Sequence, residues 1–276
     1  MSIPSLPPGP RNLSSWVRSV LRYYGKRPSQ KLGQVFLVHP KGVSLFVDAV
    51  REHLDPPILE VGVGTGHLAY YVARESGWII GVEIDRILVE VAKEVLKGSE
   101  VFLIHGDGVL CTESFRVRGV YSNTPYQASS RLIASGARNN NVWSMVLGLQ
   151  LEVARRVLAR PGSEDYGRLT LLVNRYFEVR EIGRIPNTWY YPRPEVHGSL
   201  VLFKRTRKWR EGDECFEKIT ACLFSGRNKL ADKMAAKCLG LDRPSLARLS
   251  GKRVRDLTVE DVEWLMERAG ECTIRL

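Results

Sequence analysis

Short apolar segments and helical patterns alternate along the chain from about residue 42. The apolar segments that predict the first five strands are Ile58–Val61, Trp78–Val82, Val101–Ile104, Gly119–Tyr121 and Val142–Leu149. Apolar residues at helical spacing fill the intervals Val43–Leu54, the stretch up to Arg74, and Asp85–Leu96. Because strands that alternate with helices form right-handed βαβ units, the pattern predicts a mostly parallel α/β sheet with helices on both faces.

The N-terminal 30 residues precede this alternation. Residues 1–10 are Pro-rich, and we expect a flexible tail there. Apolar residues at helical spacing from Trp16 to Tyr24 predict one helix, which Gly25 can end. The first 30 residues carry five basic side chains and no acid, which predicts a basic outer face on this helix. An ordinary solvated surface is the alternative interpretation.

The C-terminal part changes from mixed to purely helical patterns. Leu169–Phe177 and Ser199–Phe203 are apolar stretches that predict further strands of the sheet. Beyond residue 206 only helical spacing remains, and Thr258 with Asp261 resembles a capping box. The predicted parts are a basic tail and helix over 1–30, a main α/β domain over 31–205 and a small all-α domain over 206–276.

The net charge limits the classes of partner. The chain has 41 Lys and Arg against 30 Asp and Glu, which gives a formal net charge of +11 and a pI near 9.6. Such a charge favours a polyanion, either nucleic acid or an anionic membrane surface. Arginine supplies most of the basic residues and binds phosphate bidentately, which suits RNA. A GC-rich genome or a thermophilic source explains the arginine preference equally well.

Cysteine spacing and hydropathy argue against several kinds of site. The five cysteines are widely spaced without a CxxC pair, so we expect neither a disulfide framework nor a zinc site. The five histidines are scattered, and we expect no metal. No run of 18 apolar residues and no signal-peptide pattern occurs. We therefore expect a soluble cytoplasmic protein.

Three predicted strand ends carry residues that suit an adenosyl cofactor. Gly62 and Gly64 lie in a GxGxG turn after the first strand, where glycine lets the backbone approach a ligand closely. Glu83 ends the second strand, and a carboxylate there can accept hydrogen bonds from ribose hydroxyls. Asp107 follows the third strand and can bind an adenine amino group. Either acid alone fits a helix N-cap or a solvated carboxylate equally well.

The fourth predicted strand is followed by Asn123-Thr124-Pro125-Tyr126. The Asn123 side-chain oxygen and the Pro125 carbonyl can accept both N–H groups of an adenine amine and direct its lone pair at a methyl donor. Tyr126 offers a ring on which an extruded base can stack. As an isolated tetrapeptide, the sequence fits a simple turn.

Several segments together resemble the small-subunit rRNA adenine N6,N6-dimethyltransferases, in the family's order. The segments are Lys31–Leu37 with its GQxFL motif, Glu60–Gly66, Glu83, Asp107, Asn123–Tyr126, Gln150–Ala154, Asp165–Leu169 and Tyr190–Ser199. The resemblance implies a Rossmann-like class I methyltransferase domain that uses S-adenosyl-L-methionine. It also implies that two adjacent adenines near the end of small-subunit rRNA are each methylated twice.

The resemblance assigns roles to further residues. Val35 and Leu37 belong to the segment that covers the cofactor, and Tyr190 takes the place of an aromatic that sandwiches the target base against Tyr126. Val35 replaces a residue that is usually Asn or His, so we expect only backbone contact with the cofactor there. Thr124 replaces Leu, which leaves both acceptors in place.

The implied partner is small-subunit rRNA or the assembling small subunit, bound by a monomer. The run Lys204–Arg210 holds five basic residues, and further basic residues follow on the C-terminal helices, so we expect phosphate contacts from them. A solvated helical face is the alternative.

Two rival functions remain at this point. DNA adenine and protein glutamine methyltransferases use similar loops, but these loops carry a second proline that is missing here. An RNA-binding assembly factor without catalysis is the other rival, which the intact Asn123, Glu83 and Asp107 disfavour.

Overall fold

The structure is a computed structural model that describes residue 6, residues 9–125 and residues 127–270. Its strands are β1 (Phe36–Leu37), β2 (Ile58–Val61), β3 (Ile79–Glu83), β4 (Val101–His105), β5 (Gly119–Asn123), β6 (Ser144–Gln150), β7 (Phe177–Ile185), β8 (Tyr190–Tyr191) and β9 (Gly198–Arg205). Its α-helices are α1 (Leu13–Tyr23), α2 (Pro40–His53), α3 (His67–Ser76), α4 (Arg86–Val95), α5 (Gly108–Ser114), α6 (Ser129–Arg138), α7 (Leu151–Val157), α8 (Arg168–Tyr176), α9 (Glu214–Phe224), α10 (Ala231–Leu239) and α11 (Val259–Ala269).

Seven strands form one sheet in the order β4-β3-β2-β5-β6-β9-β7, and β1 pairs with β8 in a small second sheet. The pairs β2–β3, β3–β4, β2–β5 and β5–β6 are parallel, whereas β9 runs antiparallel to β6. All four residues of β2 are buried, as is typical of a central parallel strand covered on both faces. The predicted α/β sheet is therefore confirmed. The carboxyl ends of its parallel strands share one edge, where such sheets bind ligands.

The strand predicted at Leu169–Phe177 is wrong. Arg168–Tyr176 forms α8, and β7 begins only at Phe177. The Thr170 side chain marks the start of the helix, because its hydroxyl accepts a hydrogen bond from the Gly167 N–H at 3.0 Å. The three apolar residues at the centre of α8 are all buried. A short apolar run fits a buried helix as well as a buried strand, so periodicity alone does not separate the two.

Residue contacts divide the chain into two compact units. One contains the described residues up to Ala154 together with Arg180–Arg205, and the other contains Arg155–Val179 together with the described residues from Thr206 onward. The later part of the second unit begins at residue 206, where the sequence places a domain boundary. The second unit also contains residues 155–179, which we expected in the main domain. These residues group with the C-terminal helices because α8 packs against α9 and α11.

The last helix begins with the capping box that its sequence predicts. The Thr258 N–H donates to Asp261 Oδ2 at 3.2 Å, and the Asp261 N–H donates to Thr258 Oγ1 at 3.4 Å. This reciprocal capping box satisfies two N–H groups that the first turn of a helix leaves unpaired. Gly270 occupies the C-cap position.

The expectation that the cysteines form no disulfide is wrong. Cys222 on α9 is bonded to Cys238 on α10, and Cys215 is disulfide-bonded as well, whereas Cys111 is free. Cys222 and Cys238 are 16 residues apart in sequence, but their Cα atoms are only 6.0 Å apart because α9 packs against α10. Sequence spacing does not reveal this proximity.

Replacing Cys222 and Cys238 together by Ser should lower the free energy of unfolding by about 2–3 kcal/mol, because the disulfide restricts the unfolded chain. Urea unfolding under oxidising conditions measures this difference, with Cys111→Ser as the control. Equal unfolding midpoints for the double variant and the wild type would show that the bond contributes nothing to stability.

Candidate active site

The turn between β2 and α3 brings backbone to the carboxyl edge of the sheet. Gly62, Gly64 and Gly66 have φ values of 79°, 61° and 81°, in the left-handed region that favours glycine. A Cβ on Gly64 would also lie 3.1 Å from the ring of Phe36. Glycine at position 64 thus satisfies both the backbone conformation and the close approach of Phe36.

Glu83 ends β3 and is tied to this turn. Its Oε2 accepts a hydrogen bond from the Gly64 N–H at 2.8 Å, and its Oε1 accepts one from the Asp85 N–H at 2.8 Å. Burial raises the pKa of Glu83, although the two backbone hydrogen bonds act in the opposite direction. A carboxylate has about four acceptor positions. Glu83 can therefore hold the turn and still accept hydrogen bonds from a ligand.

Asp107 caps α5 and also faces the sheet edge. Its Oδ1 accepts a hydrogen bond from the Val109 N–H at 2.8 Å, and its Oδ2 lies 3.5 Å from Arg131 Nη2. Asp107 can therefore cap α5 through Oδ1 and still bind a ligand through Oδ2, so the N-cap interpretation and the ligand interpretation are compatible.

Asn123 is the last residue of β5, and its amide orientation is set by the N-terminal segment. Asn123 Nδ2 donates a hydrogen bond to the Val35 carbonyl at 2.9 Å. Because only the nitrogen of an amide can donate to a carbonyl, this contact fixes which end is Oδ1. Val35 thereby contributes to the site through its backbone, and the Asn123 oxygen is available as an acceptor.

The loop after Asn123 is held by backbone hydrogen bonds. The Thr124 N–H donates to the Gly148 carbonyl at 3.0 Å, and the Ala128 N–H donates to the Pro125 carbonyl at 2.9 Å. A carbonyl oxygen has two lone pairs, so Pro125 can accept one more hydrogen bond. Tyr126, the predicted stacking residue, lies outside the described residues.

These residues converge on a single cleft in the first unit. The predicted site residues that line it are Val35, Leu37, Gly62, Gly64, Glu83, Asp107, Asn123 and Pro125. Tyr190 is not among the lining residues, because its side chain is only 7% exposed and packs in the hydrophobic core. Tyr190 is nevertheless linked to the cleft, since β8 pairs it with Leu37 of β1.

His67 is a cleft residue that the sequence analysis missed. Its Nδ1 lies 2.7 Å from Thr65 Oγ1, and its Nε2 lies 2.8 Å from the Leu37 carbonyl. Burial lowers the pKa of His67 to about 4, so the ring is neutral at pH 7. Nε2–H then donates to Leu37 and Nδ1 accepts from Thr65, which joins the glycine turn to β1. The position of His67 directly after the GxGxG turn was its only sequence signal.

Asp85 is a second missed residue, and it ties the N-terminal segment to the sheet edge. Its Oδ1 caps α4, while its Oδ2 accepts a hydrogen bond from Gln34 Nε2 at 2.9 Å and forms an ion pair with Lys26. The Gln34 side-chain oxygen in turn accepts a hydrogen bond from the Ser29 N–H at 2.8 Å. Gln34 of the GQxFL motif therefore positions the segment that borders the cleft.

Glu60 is a fully buried acid at the floor of the cleft. Tyr121 donates its hydroxyl to Glu60 Oε2 at 2.8 Å across the β2–β5 pair. Burial raises the pKa of Glu60 from 4.5 to about 8. The folded protein therefore binds a proton at Glu60 that the unfolded chain releases, and this stabilising effect is present below pH 4.5 and lost as pH rises through about 8.

Glu60→Gln should remove this pH dependence while keeping an acceptor for Tyr121. We expect the variant to exceed the wild type in free energy of unfolding at pH 9, by about 2–5 kcal/mol, with a difference that shrinks toward pH 5. Urea unfolding at several pH values tests this, with the exposed Glu75→Gln as control. A constant difference between the two proteins across pH would contradict the assignment.

Only part of the predicted basic run Lys204–Arg210 is exposed at the protein surface. Arg205 is buried, and its guanidinium donates to the carbonyls of Gly136, Ala137, Asn139 and Val142 at the end of α6. In the second unit, Arg207 forms an ion pair with Glu263, and Arg227 donates to the carbonyls of Ser163 and Glu164. The expectation of phosphate contacts from the whole run is therefore wrong for Arg205. The exposed cations of the run are Lys204, Lys208 and Arg210.

Two further structural findings concern metals and membranes. Across residues 9–125 and 127–270, no group of three or more His, Cys, Asp or Glu side chains could hold a metal ion. No helix within the same described ranges is long and apolar enough to cross a membrane.

A family model for the ribosomal RNA adenine dimethylases matches residues 25–261. The chain belongs to this family. A probable ribosomal RNA small subunit methyltransferase A from Aeropyrum pernix is 37% identical over 220 residues, which cover 79% of each chain. A protein of the same name from Pyrococcus furiosus is 31% identical over 90% of this chain and 94% of its own. The resemblance noted in the sequence is thereby confirmed.

Solved structures share the fold. A dimethyladenosine transferase from Plasmodium falciparum is 19% identical and superposes with a TM-score of 0.69 over 86% of this chain and 98% of its own. The 23S rRNA methyltransferase ErmE is 22% identical, with a TM-score of 0.60 over 86% of this chain and 100% of its own. The predicted class I methyltransferase fold is confirmed. As a member of the family, the chain is an S-adenosylmethionine-dependent rRNA adenine dimethyltransferase.

Proposed function

We propose that this enzyme dimethylates the N6 amines of two adjacent adenosines near the 3′ end of small-subunit rRNA, during assembly of the subunit. The observation that carries the proposal is the position of Asn123 at the end of β5, in the same cleft as the glycine turn and Glu83. Its amide is oriented by Val35 so that the oxygen is the available acceptor. The relatives named for the small subunit support the choice of RNA.

The cleft fits an adenosyl cofactor by its donor set and its shape. Glu83 would accept hydrogen bonds from the ribose hydroxyls, and the second oxygen of Asp107 would accept one from the adenine amine. Gly62 and Gly64 line the cleft without a side chain, so the backbone of the glycine turn can approach a ligand closely. Val35 and Leu37 line the same cleft and would cover the cofactor. When bound, S-adenosylmethionine supplies a methyl group made electrophilic by its sulfonium charge.

The chain's own residues act on the adenine amine. Its lone pair is delocalised into the ring, which makes it a weak nucleophile. Asn123 Oδ1 and the second lone pair of the Pro125 carbonyl would each accept one N–H, drawing the nitrogen toward tetrahedral geometry and aiming its lone pair into the cleft. After methylation the nitrogen is positively charged and its proton is acidic, so water can accept the proton without a dedicated base.

Stacking of the extruded base is assigned to Tyr126 and Tyr190. Base–aromatic stacking contributes about 1–3 kcal/mol per base. Because Tyr190 packs in the core, its ring must become accessible before it can stack on a base. Leu37, its partner across the β1–β8 pair, borders the cleft, which places Tyr190 one strand away from the proposed base site.

The second unit is proposed as a further RNA-binding surface. Lys229, Lys233 and Lys237 are exposed and follow one another at four-residue spacing on and before α10, which places the last two on one helix face. We further propose that the enzyme acts as a cytoplasmic monomer without a metal ion.

Mass spectrometry of nucleosides tests the proposed function. Purified small ribosomal particles that lack the modification are incubated with the enzyme and methyl-labelled cofactor, with large-subunit particles as the matched control. We expect labelled N6,N6-dimethyladenosine from two adjacent positions of the small-subunit RNA only. Label in large-subunit RNA alone, or in no adenosine, would overturn the proposal.

A further inference from the structure

The helix α1 precedes the part of the chain that the family model matches. It spans Leu13–Tyr23, whereas the family model begins to match at residue 25. One side of α1 is fixed in the protein, because Trp16, Val17, Val20 and Leu21 are at most 5% exposed. Trp16 also makes an edge contact with the His67 ring, with ring centroids 6.2 Å apart. The helix α1 is therefore packed against the rest of the first unit through one side, and its other side faces outward.

The outer face of α1 and the residues after it carry positive charge and no negative charge. The first 47 residues of the chain hold seven Lys and Arg and no Asp or Glu, whereas the whole chain has 41 against 30. Arg18 and Arg22 are exposed one helical turn apart, and Arg27 is exposed after the helix. Tyr23 lies beside them and is 48% exposed. We call Arg18, Arg22 and Arg27 the N-terminal basic segment.

Contacts link this segment to residues that line the cleft. The Arg18 guanidinium carbon is 4.5 Å from the centroid of the Tyr191 ring, and Tyr191 pairs with Phe36, which lines the cleft. Beyond the C-terminal end of α1, Lys26 forms an ion pair with Asp85 at the N-terminus of α4. Among the described residues, no Asp or Glu forms an ion pair with Arg18, Arg22 or Arg27, in contrast to Lys26. The exposed cations of the segment are thus available to an anionic partner near the cleft.

We propose that the N-terminal basic segment binds the phosphate backbone of the rRNA next to the target adenosine. The inference rests on the proposed function, since it assigns a second contact surface to the same substrate. Arginine binds phosphate bidentately and stacks on bases, and an exposed tyrosine beside it adds a stacking face. An anionic membrane fits less well, because the apolar side of α1 is buried in the protein and cannot insert between lipids.

The test compares salt dependence of RNA binding. Arg18→Gln, Arg22→Gln and Arg27→Gln are combined, and binding of a stem-loop RNA with two adjacent adenosines is measured by fluorescence anisotropy at several salt concentrations. We expect the slope of log affinity against log salt to decrease by about 2–3 and the affinity at low salt to fall about tenfold or more. S-adenosylhomocysteine affinity should stay unchanged, which verifies that the cleft is intact.

A matched control removes three exposed cations elsewhere in the same unit. Lys97→Gln, Arg116→Gln and Arg118→Gln lie before β4 and β5, at the edge of the sheet opposite the cleft. We expect their combination to change the salt slope by less than half as much. The double variant Arg22→Gln with Arg27→Gln spares the Arg18–Tyr191 contact and should show an intermediate slope, so loss of folding cannot account for the effect.

Separate outcomes distinguish the two proposals. A wild-type enzyme that binds and methylates the RNA, together with a triple variant of unchanged slope, would overturn the role of the N-terminal basic segment alone. Equal effects of the triple variant and its control would do the same, because they would reflect net charge only. A wild-type enzyme that transfers no methyl group to the adenosines of small ribosomal particles would instead overturn the proposed function.

Discussion

Asn123→Ala is expected to lower the rate of methyl transfer by about 10²–10³-fold or more, because it removes an acceptor that acts on the amine during the reaction. Binding of cofactor and of RNA should remain close to wild type, since Asn123 contributes one side chain to a cleft that many other residues line. Single-turnover transfer of labelled methyl groups to RNA measures the rate, and calorimetry with S-adenosylhomocysteine measures cofactor binding.

Thr124→Val is the matched control for this variant. Thr124 is buried next to Asn123, and its hydroxyl donates only to the Ser122 carbonyl, at 3.3 Å. The substitution keeps the side-chain volume and the backbone hydrogen bond to Gly148, so the rate should stay within about threefold of wild type. Methyl transfer at the wild-type rate by Asn123→Ala would reject the role of its amide.

Glu83→Ala is expected to weaken S-adenosylmethionine binding by about 10²-fold, because hydrogen bonds to a charged acceptor contribute about 1.5–3 kcal/mol. The substitution also leaves the N–H groups of Gly64 and Asp85 without their carboxylate acceptor. The glycine turn would therefore lose the side chain that holds it, and the cofactor would lose the acceptor that we assign to its ribose. Calorimetric titration with S-adenosylhomocysteine measures the loss.

The controls for Glu83 separate binding from folding. Glu83→Gln retains one acceptor oxygen and should lose less affinity than Glu83→Ala, while Glu75→Gln on the exposed surface should lose none. Thermal unfolding of each apoprotein shows how much of the change is stability. Unchanged calorimetric affinity in Glu83→Ala would reject its assignment to the ribose.

The convergence of the proposed cofactor-binding residues on one cleft could be predicted from the sequence because it depends on strand ends. Glu83, Asp107 and Asn123 each follow a short apolar segment, and parallel topology brings the carboxyl ends of those segments to one edge. The glycine turn is equally local, since it needs only backbone freedom directly after a strand. These features require no knowledge of which distant side chains meet.

The features that could not be predicted depend on contacts between distant segments. His67 bonds to Leu37, 30 residues away in sequence, and Arg205 donates to carbonyls more than 60 residues away. The Cys222–Cys238 bond likewise exists because α9 packs against α10. The Leu169–Phe177 stretch was mistaken for a strand because its apolar run is compatible with both structures.

A crystal structure with a bisubstrate analogue, in which adenosine N6 is joined covalently to the cofactor's methyl position, would show whether Asn123 and Pro125 bind the target amine. We expect the adenosyl part of the analogue at Glu83 and Asp107. We also expect the purine N6 within about 2.7–3.2 Å of Asn123 Oδ1 or the Pro125 carbonyl. A purine held outside the cleft, or an Asn123 amide turned away from N6, would contradict this binding of the amine.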